Sequence, residues 1–376
     1  MMLRLPLTLS IYIGRHFLIA VLATIGIMLM IVGLMELLEL VRRSSDVVRN
    51  VPFLMVLQMT ALKLPTTAEK IYPFAVMIGG MVTLSRLTRN SELVVTRAAG
   101  VSVWQFLMPG VAVVVGLGII FVTVMNPIAA FTISRFERIE AKYITGKASL
   151  LSISPSGLWL RQTDEKGILF HKAEAREYII HAVRMDQSTY ALDDVIIFLY
   201  DKDHGFLGRV DAPKAMLQPG QWTIDHAVLS SPTTLPQEVP RYVMPTQLTL
   251  SQIQDSFSAP ETFSFWQLPG FIAVLEKAGF SALHHKLHFH SLIAMPLLLA
   301  GMMLLAAVFT LRPPRRGRTG MLLVIGVTSG FLLYFVTNII YALGAAGDLP
   351  IVLAAWAPTL IVLMIAGAAL LHLEDG

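Results

Sequence analysis

LSRLTRNSELVVTRAAG, residues 84–100, decides how the rest of the chain is read. It lies between two long apolar segments, carries Arg86, Arg89 and Arg97, and is too short to cross a bilayer, so it is expected to be a cytoplasmic loop between membrane helices. A short helix signal sits inside it. Asn90 or Ser91 is placed to cap the amides of a helix start, Glu92 stands in the first turn where the helix dipole favours a carboxylate, and Gly100 is placed to end the helix. Two readings stay open on these residues alone: a solvated turn that satisfies the positive-inside bias, and a folded, charged knob facing the cytoplasm.

The composition around this loop is that of an integral membrane protein, with 55% hydrophobic residues, 14% charged residues and a mean hydropathy of +0.66. A net charge of +4, from 29 basic and 25 acidic residues, includes no long basic run of the kind that binds nucleic acid. The absence of cysteine excludes disulfides, thiolate metal sites and cysteine nucleophiles.

Outward from the loop, the apolar runs predict six membrane helices. The first is Phe17 to Leu38, expected to be retained because it lacks the short apolar region and small-residue cleavage site of a signal peptide. Val51 to Leu84 is longer than a span and contains Lys63, Pro65, Glu69, Lys70 and Pro73, which suits a helix that starts outside the membrane, with Ile71 to Leu84 as its membrane part. Val101 to Met125, Ser291 to Leu311, Met321 to Leu343 and Leu349 to Leu371 complete the set. Arg4, Arg15, the arginines of the loop, and Arg312, Arg315, Arg316 and Arg318 fall on one side, which places both termini and the loop in the cytoplasm.

Beyond Asn126 the character changes to a polar helical continuation and then to short alternating runs, among them GLWLRQ (157–162), GILFHKAEAR (167–176), DVIIFLYD (194–201) and QWTIDHAVLS (221–230). Period-two alternation bounded by turn residues predicts antiparallel β-structure with one buried face, a sandwich or open jelly-roll-like domain on the side opposite the loop. SFWQLPGFIAVLEKAGFS (264–281) predicts an amphipathic elbow near the bilayer surface. The expected fold is thus membrane α-helical with an inserted all-β domain: 1–135 for the first three spans with a loop helix at about 88–100, 136–258 for the β-domain, and 259–376 for the elbow and last three spans.

No G-x-x-x-x-G-K phosphate loop, H-E-x-x-H or G-x-S-x-G is present, so a non-catalytic transport or scaffold role leads and energy for vectorial work must come from elsewhere. Glu36, Glu39, Arg42 and Arg43 cluster at the outer end of the first span. They suit either interfacial anchoring with internal ion pairing, or recognition of an anionic amphiphile by the arginines. HHKLHFH (284–290) puts His284 and His288 one turn apart but offers no acidic third ligand, which favours a polar helix face over a metal site. Gly326 and Gly330 form G-x-x-x-G, suited to close packing within the chain or to a movable contact with a partner subunit at a gate shared with the first span. Thr337 and Asn338, further along that helix, need polar partners in lipid or a cavity to face.

The S-E-L-V-V run of residues 91–95, with PFAVMIGGMVTLSRLTRN before it, YIGRHF at 12–17, GLW at 157–159 and the elbow LPGFIAVLEKAGF, resembles the lipopolysaccharide export permease family, LptF and LptG, over nearly the whole chain, and the S-E-L-V-V and Y-I-G-R runs are most similar to the LptG branch. The resemblance implies that residues 88–100 are a coupling helix docking on a separate LptB-type ATPase dimer, with Glu92 as the coupling carboxylate and Ser91, Leu93, Arg89 and Arg97 around it. It implies an LptF sister permease and the periplasmic proteins LptC and LptA as partners, lipopolysaccharide as cargo, ATP and magnesium held by the ATPase rather than by this chain, and a bacterial inner-membrane location with the β-domain in the periplasm. It also implies that Arg42, Arg43 and Glu39, with Gly326, Gly330 and Asn338, border the substrate path. Glu36 stands where some members have lysine, so no phosphate-binding role is carried to it. The alternative is a non-transporting membrane scaffold that recruits periplasmic partners through its β-domain; a self-sufficient carrier or membrane enzyme is disfavoured by the scarcity of central charges.

Overall fold

The structure, a computed structural model, describes residues 7–45, 51–140, 143–144, 158–170, 173–185, 191–201, 205–232, 234–246, 259–277, 281–311 and 319–375. Two compact units emerge: Met1–Ile139 with Pro260–Leu268 and Leu283–Gly376, and Glu140–Ala259 with Pro269–Ala282.

The first unit is helical. Its elements are α1 (Leu7–Ser45), α2 (Phe53–Arg89), α3 (Glu92–Ala98), α4 (Val103–Ile120), α5 (Asn126–Glu140), α7 (Leu283–Thr310), α8 (Thr319–Ala346) and α9 (Ile351–Asp375). A π turn at Phe121–Met125 joins α4 to α5, so the third span runs unbroken through Glu140. Six of these segments are long and apolar enough to cross a membrane, the six expected from the sequence. Three bounds differ. The α1 helix is already formed at Leu7; α2 keeps both Pro65 and Pro73 inside one helix; and α7 starts at Leu283, taking the histidine tract into its first turns.

Helices α7 and α2 form the centre, with 67% and 56% of their most apolar windows buried, against 11% for α1 and α8. Against α7 pack α2, α4, α8 and α9, while α1 lies on α2 and α4. In lipid this association rests on close packing rather than on expulsion of water, so small residues decide how near backbones come. At Gly79 an added Cβ would lie 2.9 Å from the Cα of Val21, so the α1 and α2 backbones meet there. The bare faces of α1 and α8, with Ile11, Met30, Leu34, Phe331 and Phe335 exposed, suit lipid or another membrane helix.

The second unit holds a six-stranded antiparallel sheet and α6 (Leu268–Lys277), whose Ile272 and Leu275 are buried. The strands are β1 (Leu158–Phe170), β2 (Ala173–Met185), β3 (Ala191–Tyr200), β4 (Phe206–Gln218), β5 (Gln221–Ser231) and β6 (Thr234–Pro245), each beside its sequence neighbour. The jelly-roll-like expectation thus takes the form of a meander, with no Greek-key crossing among the described strands. The run 167–176 is not one strand: it closes β1 and opens β2, with Phe170 opposite Ala173. Trp222, Tyr178, Ile180, Ile197 and Ile224 build the core of the sheet's buried face.

Two strands were not legible as alternating runs because proline interrupts them. Pro236, Pro240 and Pro245 fall in β6, an edge strand, where a missing N–H is tolerated. Pro213 falls inside β4, between two neighbours, and there the ladders skip it on both sides. The facing residues, Asp194 of β3 and His226 of β5, have φ of 53° and 52°, the left-handed excursions that let each neighbour pass a position with no donor.

Burial raises the Tyr242 hydroxyl above the ordinary phenol value, and among the described residues it has no hydrogen-bond partner. A group whose folded pKa lies above its unfolded one stabilises fully below the unfolded value, about 10, and loses that contribution as pH rises through the folded one. Tyr242→Phe is therefore expected to match or exceed the parent in thermal stability at pH 8 and to retain more of it above about pH 10, read from melting curves. Gly79→Ala should lower the melting transition by the equivalent of about 1–3 kcal/mol, whereas Gly116→Ala, whose methyl meets nothing within 4 Å, should not.

Candidate functional site

The loop between α2 and α4 folds as expected into a short helix, α3, but starts by a different device. Ser91 takes a left-handed φ of 62° and makes no side-chain cap; Asn90 instead donates from Nδ2 to Glu92 Oε1 at 3.2 Å. The end is the one the glycine predicts: Gly100 has φ +82°, its N–H bonds the Arg97 carbonyl at 2.9 Å and the N–H of Val101 bonds Thr96 at 3.3 Å, a Schellman closure. Leu93 is turned inward, 6% exposed, and anchors the helix, while Val94 and Val95 stand bare at 62% and 67%. Arg86, Arg89 and Arg97 are exposed around them. The Tyr12 side chain of α1 lies beside the Glu92 carboxylate, which places α3 next to the start of the first span.

At the far end of α1, Arg43 pairs with Glu39 one turn away, both half exposed, and Arg42 is exposed beside them. Such a pair in water contributes about 0–1 kcal/mol. Glu36 is different: it meets Lys63 of α2 in a partly buried ion pair, and the Lys63 ammonium lies 5.4 Å from the Phe136 ring of α5. Two internal pairs thus form in this cluster, Arg43 with Glu39 within α1 and Glu36 with Lys63 across to α2.

Gly326 and Gly330 make the close packing within the chain that their spacing suits. A Cβ on Gly326 would sit 2.4 Å from Met81 Cε and one on Gly330 2.5 Å from Met77 Cε, so both glycines pack on α2 of the same chain. Gly330 and Asn338 do line a cavity of about 360 Å³ between α2, α7 and α8, together with Glu69, Lys70, Glu261 and His288. Asn338 Nδ2 donates back to the Tyr334 carbonyl at 2.9 Å. His285 and His288, rather than His284 and His288, are the buried histidines, at 3% and 5%. Among the described residues no cluster of His, Asp and Glu is able to hold a metal ion.

Sequence comparison places this architecture. The family described as lipopolysaccharide export system permease LptF/LptG matches residues 11–372. The chain belongs to the LptF/LptG family. It is 26% identical to the lipopolysaccharide export system permease protein LptG of Haemophilus influenzae over 371 residues, covering 94% of this chain and 95% of the relative. It is 23% identical to that of Escherichia coli K12 over 356 residues, covering 93% of each.

Within this LptF/LptG chain, sequence reasoning missed three groups: Val94 and Val95 as the bare face of α3, Lys63 as the partner of Glu36, and the cavity residues Glu69, Glu261 and His288. The helical period alone separates Leu93 from its neighbours, but the other two depend on which helices adjoin. Charge reversal by Glu36→Lys should set two ammonium groups together and lower stability by about 1–3 kcal/mol, with Lys63→Glu added to it restoring most of the loss, as read from melting transitions of the single and double variants.

Proposed function

We propose that this chain is the permease subunit of an ATP-driven exporter that lifts lipopolysaccharide out of the inner membrane and passes it to a periplasmic bridge. The observation that carries the reading is the bare Val94 and Val95 pair on α3, ringed by arginines and led by Glu92. An apolar pair left in water at the tip of a charged helix suits a groove in another protein. The partner is an LptB-type ATPase dimer that holds ATP and magnesium; this chain carries no phosphate loop.

The force path follows from the packing. Only Asn90 and Ser91 separate α3 from α2, so a push on α3 acts on the end of a 37-residue helix. Through Gly79 and the Glu36–Lys63 pair α2 moves with α1, and through Met77 and Met81 with α8. Those are the two helices with the barest faces, suited to an LptF sister subunit and the lipid cargo between them. Exposed Arg42 and Arg43 at the outer end of α1 offer charge-assisted hydrogen bonds to phosphates at the rim, with Glu39 orienting Arg43. A lipid with several acyl chains buries too much apolar surface to be released into water, so its exit requires a continuous sheltered path, supplied by periplasmic β-domains of this subunit, LptC and LptA in series.

Glu92→Ala is expected to leave membrane insertion intact while lowering lipopolysaccharide-stimulated ATP hydrolysis of the reconstituted complex by about tenfold or more. Val94→Asp combined with Val95→Asp should abolish co-purification of the ATPase. Unchanged hydrolysis and unchanged capture in these variants would contradict the reading.

A further inference from the structure

The cavity between α2, α7 and α8 has a polar end whose chemistry the export role does not use. Glu69 of α2 and Glu261, in the 3₁₀ turn Pro260–Thr262, are charged neighbours inside the helical unit, and Tyr341 is close to both. The Asn126 side chain lies beside the Glu69 carboxylate, and its Oδ1 accepts the Phe265 N–H at 2.7 Å. No salt bridge within 4.0 Å is formed by either carboxylate among the described residues; Lys70, exposed at the cavity edge, and His288 are the attractive neighbours of Glu69. His288 faces the same space, is 5% exposed, and has no hydrogen-bond partner at Nε2.

Three of the donors on the wall are already engaged, while the Lys70 ammonium and the Tyr334 and Tyr341 hydroxyls also border the space. Ser291 donates to the Leu287 carbonyl at 2.9 Å, Thr337 to Leu333 at 2.8 Å, and Asn338 to Tyr334 at 2.9 Å. At its polar end the cavity sets two carboxylates and an imidazole nitrogen against one ammonium, that of the exposed Lys70. Ionisable groups that face a cavity within the helical bundle of a membrane protein are costly to shelter and mark ligand or ion paths. A bare metal ion does not fit, since these groups do not converge closely enough to hold one. A primary ammonium carries three N–H donors and one positive charge, which matches that set of acceptors. The remaining wall, with Phe74, Leu292, Met295, Met302 and Leu333, is apolar, and the volume of about 360 Å³ lies in the range of small-molecule sites.

We infer that this cavity is a binding site for an alkylammonium group, with the ammonium held by Glu69, Glu261 and His288 and its chain laid along Phe74, Met295 and Met302. Two sources share that chemistry: the ethanolamine head of a membrane phospholipid and an amine substituent on a glycolipid cargo. The inference stands independently of the coupling role of α3.

The test uses the full chain, purified in the assembly it is isolated with, in a non-ionic detergent at pH 7. Dodecylamine, dodecanol and dodecyl phosphate are added at equal mole fraction in the micelle, and melting transitions are followed. Saturable stabilisation by dodecylamine alone is expected, with Glu69→Gln combined with Glu261→Gln weakening its apparent affinity by about tenfold or more, and His288→Asn weakening it less. Equal effects of the three amphiphiles on the unaltered chain, a readout that needs no variant to fold, would overturn the inference, as would an unchanged response of the double variant. Native mass spectrometry after exchange into lipid mixtures then assigns the source. Preferential retention of phosphatidylethanolamine over phosphatidylcholine and phosphatidylglycerol points to the membrane, retention only of an amine-substituted glycolipid points to the cargo, and retention of neither would overturn it.

Discussion

A helix that carries two prolines and, between residues 63 and 70, three charged side chains depends on partners inside its own bundle, and α2 is that helix. Pro65 and Pro73 each leave a carbonyl one turn back without its helical donor, and Lys63, Glu69 and Lys70 sit among otherwise apolar turns. Lipid offers them nothing. Lys63 is met by Glu36 of α1 and the ring of Phe136, and Glu69 by Asn126. Each of these contacts also fixes where a neighbouring helix must lie, so the same residues that burden α2 as a membrane helix register α1 and α5 against it.

The junction of α4 and α5 shows the same logic in the backbone. The π turn at Phe121–Met125 disturbs the regular ladder, and the Thr123 carbonyl there accepts the Trp266 indole N–H at 3.1 Å. One residue along, the buried Asn126 accepts the Phe265 N–H. One backbone N–H and one indole N–H from the stretch before α6 thus brace the π turn and the residue that follows it. An exposed Trp266 ring with its N–H bonded inward suits an interfacial position, where one end of the ring is apolar and the other polar.

Much of this was legible in the chain itself. Apolar runs of membrane length gave the six spans, the break in their pattern after residue 126 marked the inserted β-domain, and Gly100 marked the end of α3. What escaped was of two kinds. Strand β4 carries Pro213 in its middle, a residue that argues against an interior strand; only the paired excursions of Asp194 and His226 make room for it, and those belong to the neighbours. The other kind is contact between segments distant in sequence. Nothing in residues 284–290 says that positions 285 and 288 turn inward toward Phe263 and Glu69, nor that the glycines of α8 face Met77 and Met81 rather than a partner subunit. Short periodicities reveal which face of an element is buried; they do not reveal against what.

The account's central claim is that α3 is the handle by which a nucleotide-driven partner moves the helices. The cysteine-free chain allows this to be tested at one atom. With Val95→Cys as the sole thiol, a short heterobifunctional crosslinker should join this chain to the ATPase subunit in native membranes, with a yield that changes between the nucleotide-free and the ATP-bound state. A thiol at that position that remains freely reactive in the assembled complex, with no crosslink to the ATPase in either state, would contradict it.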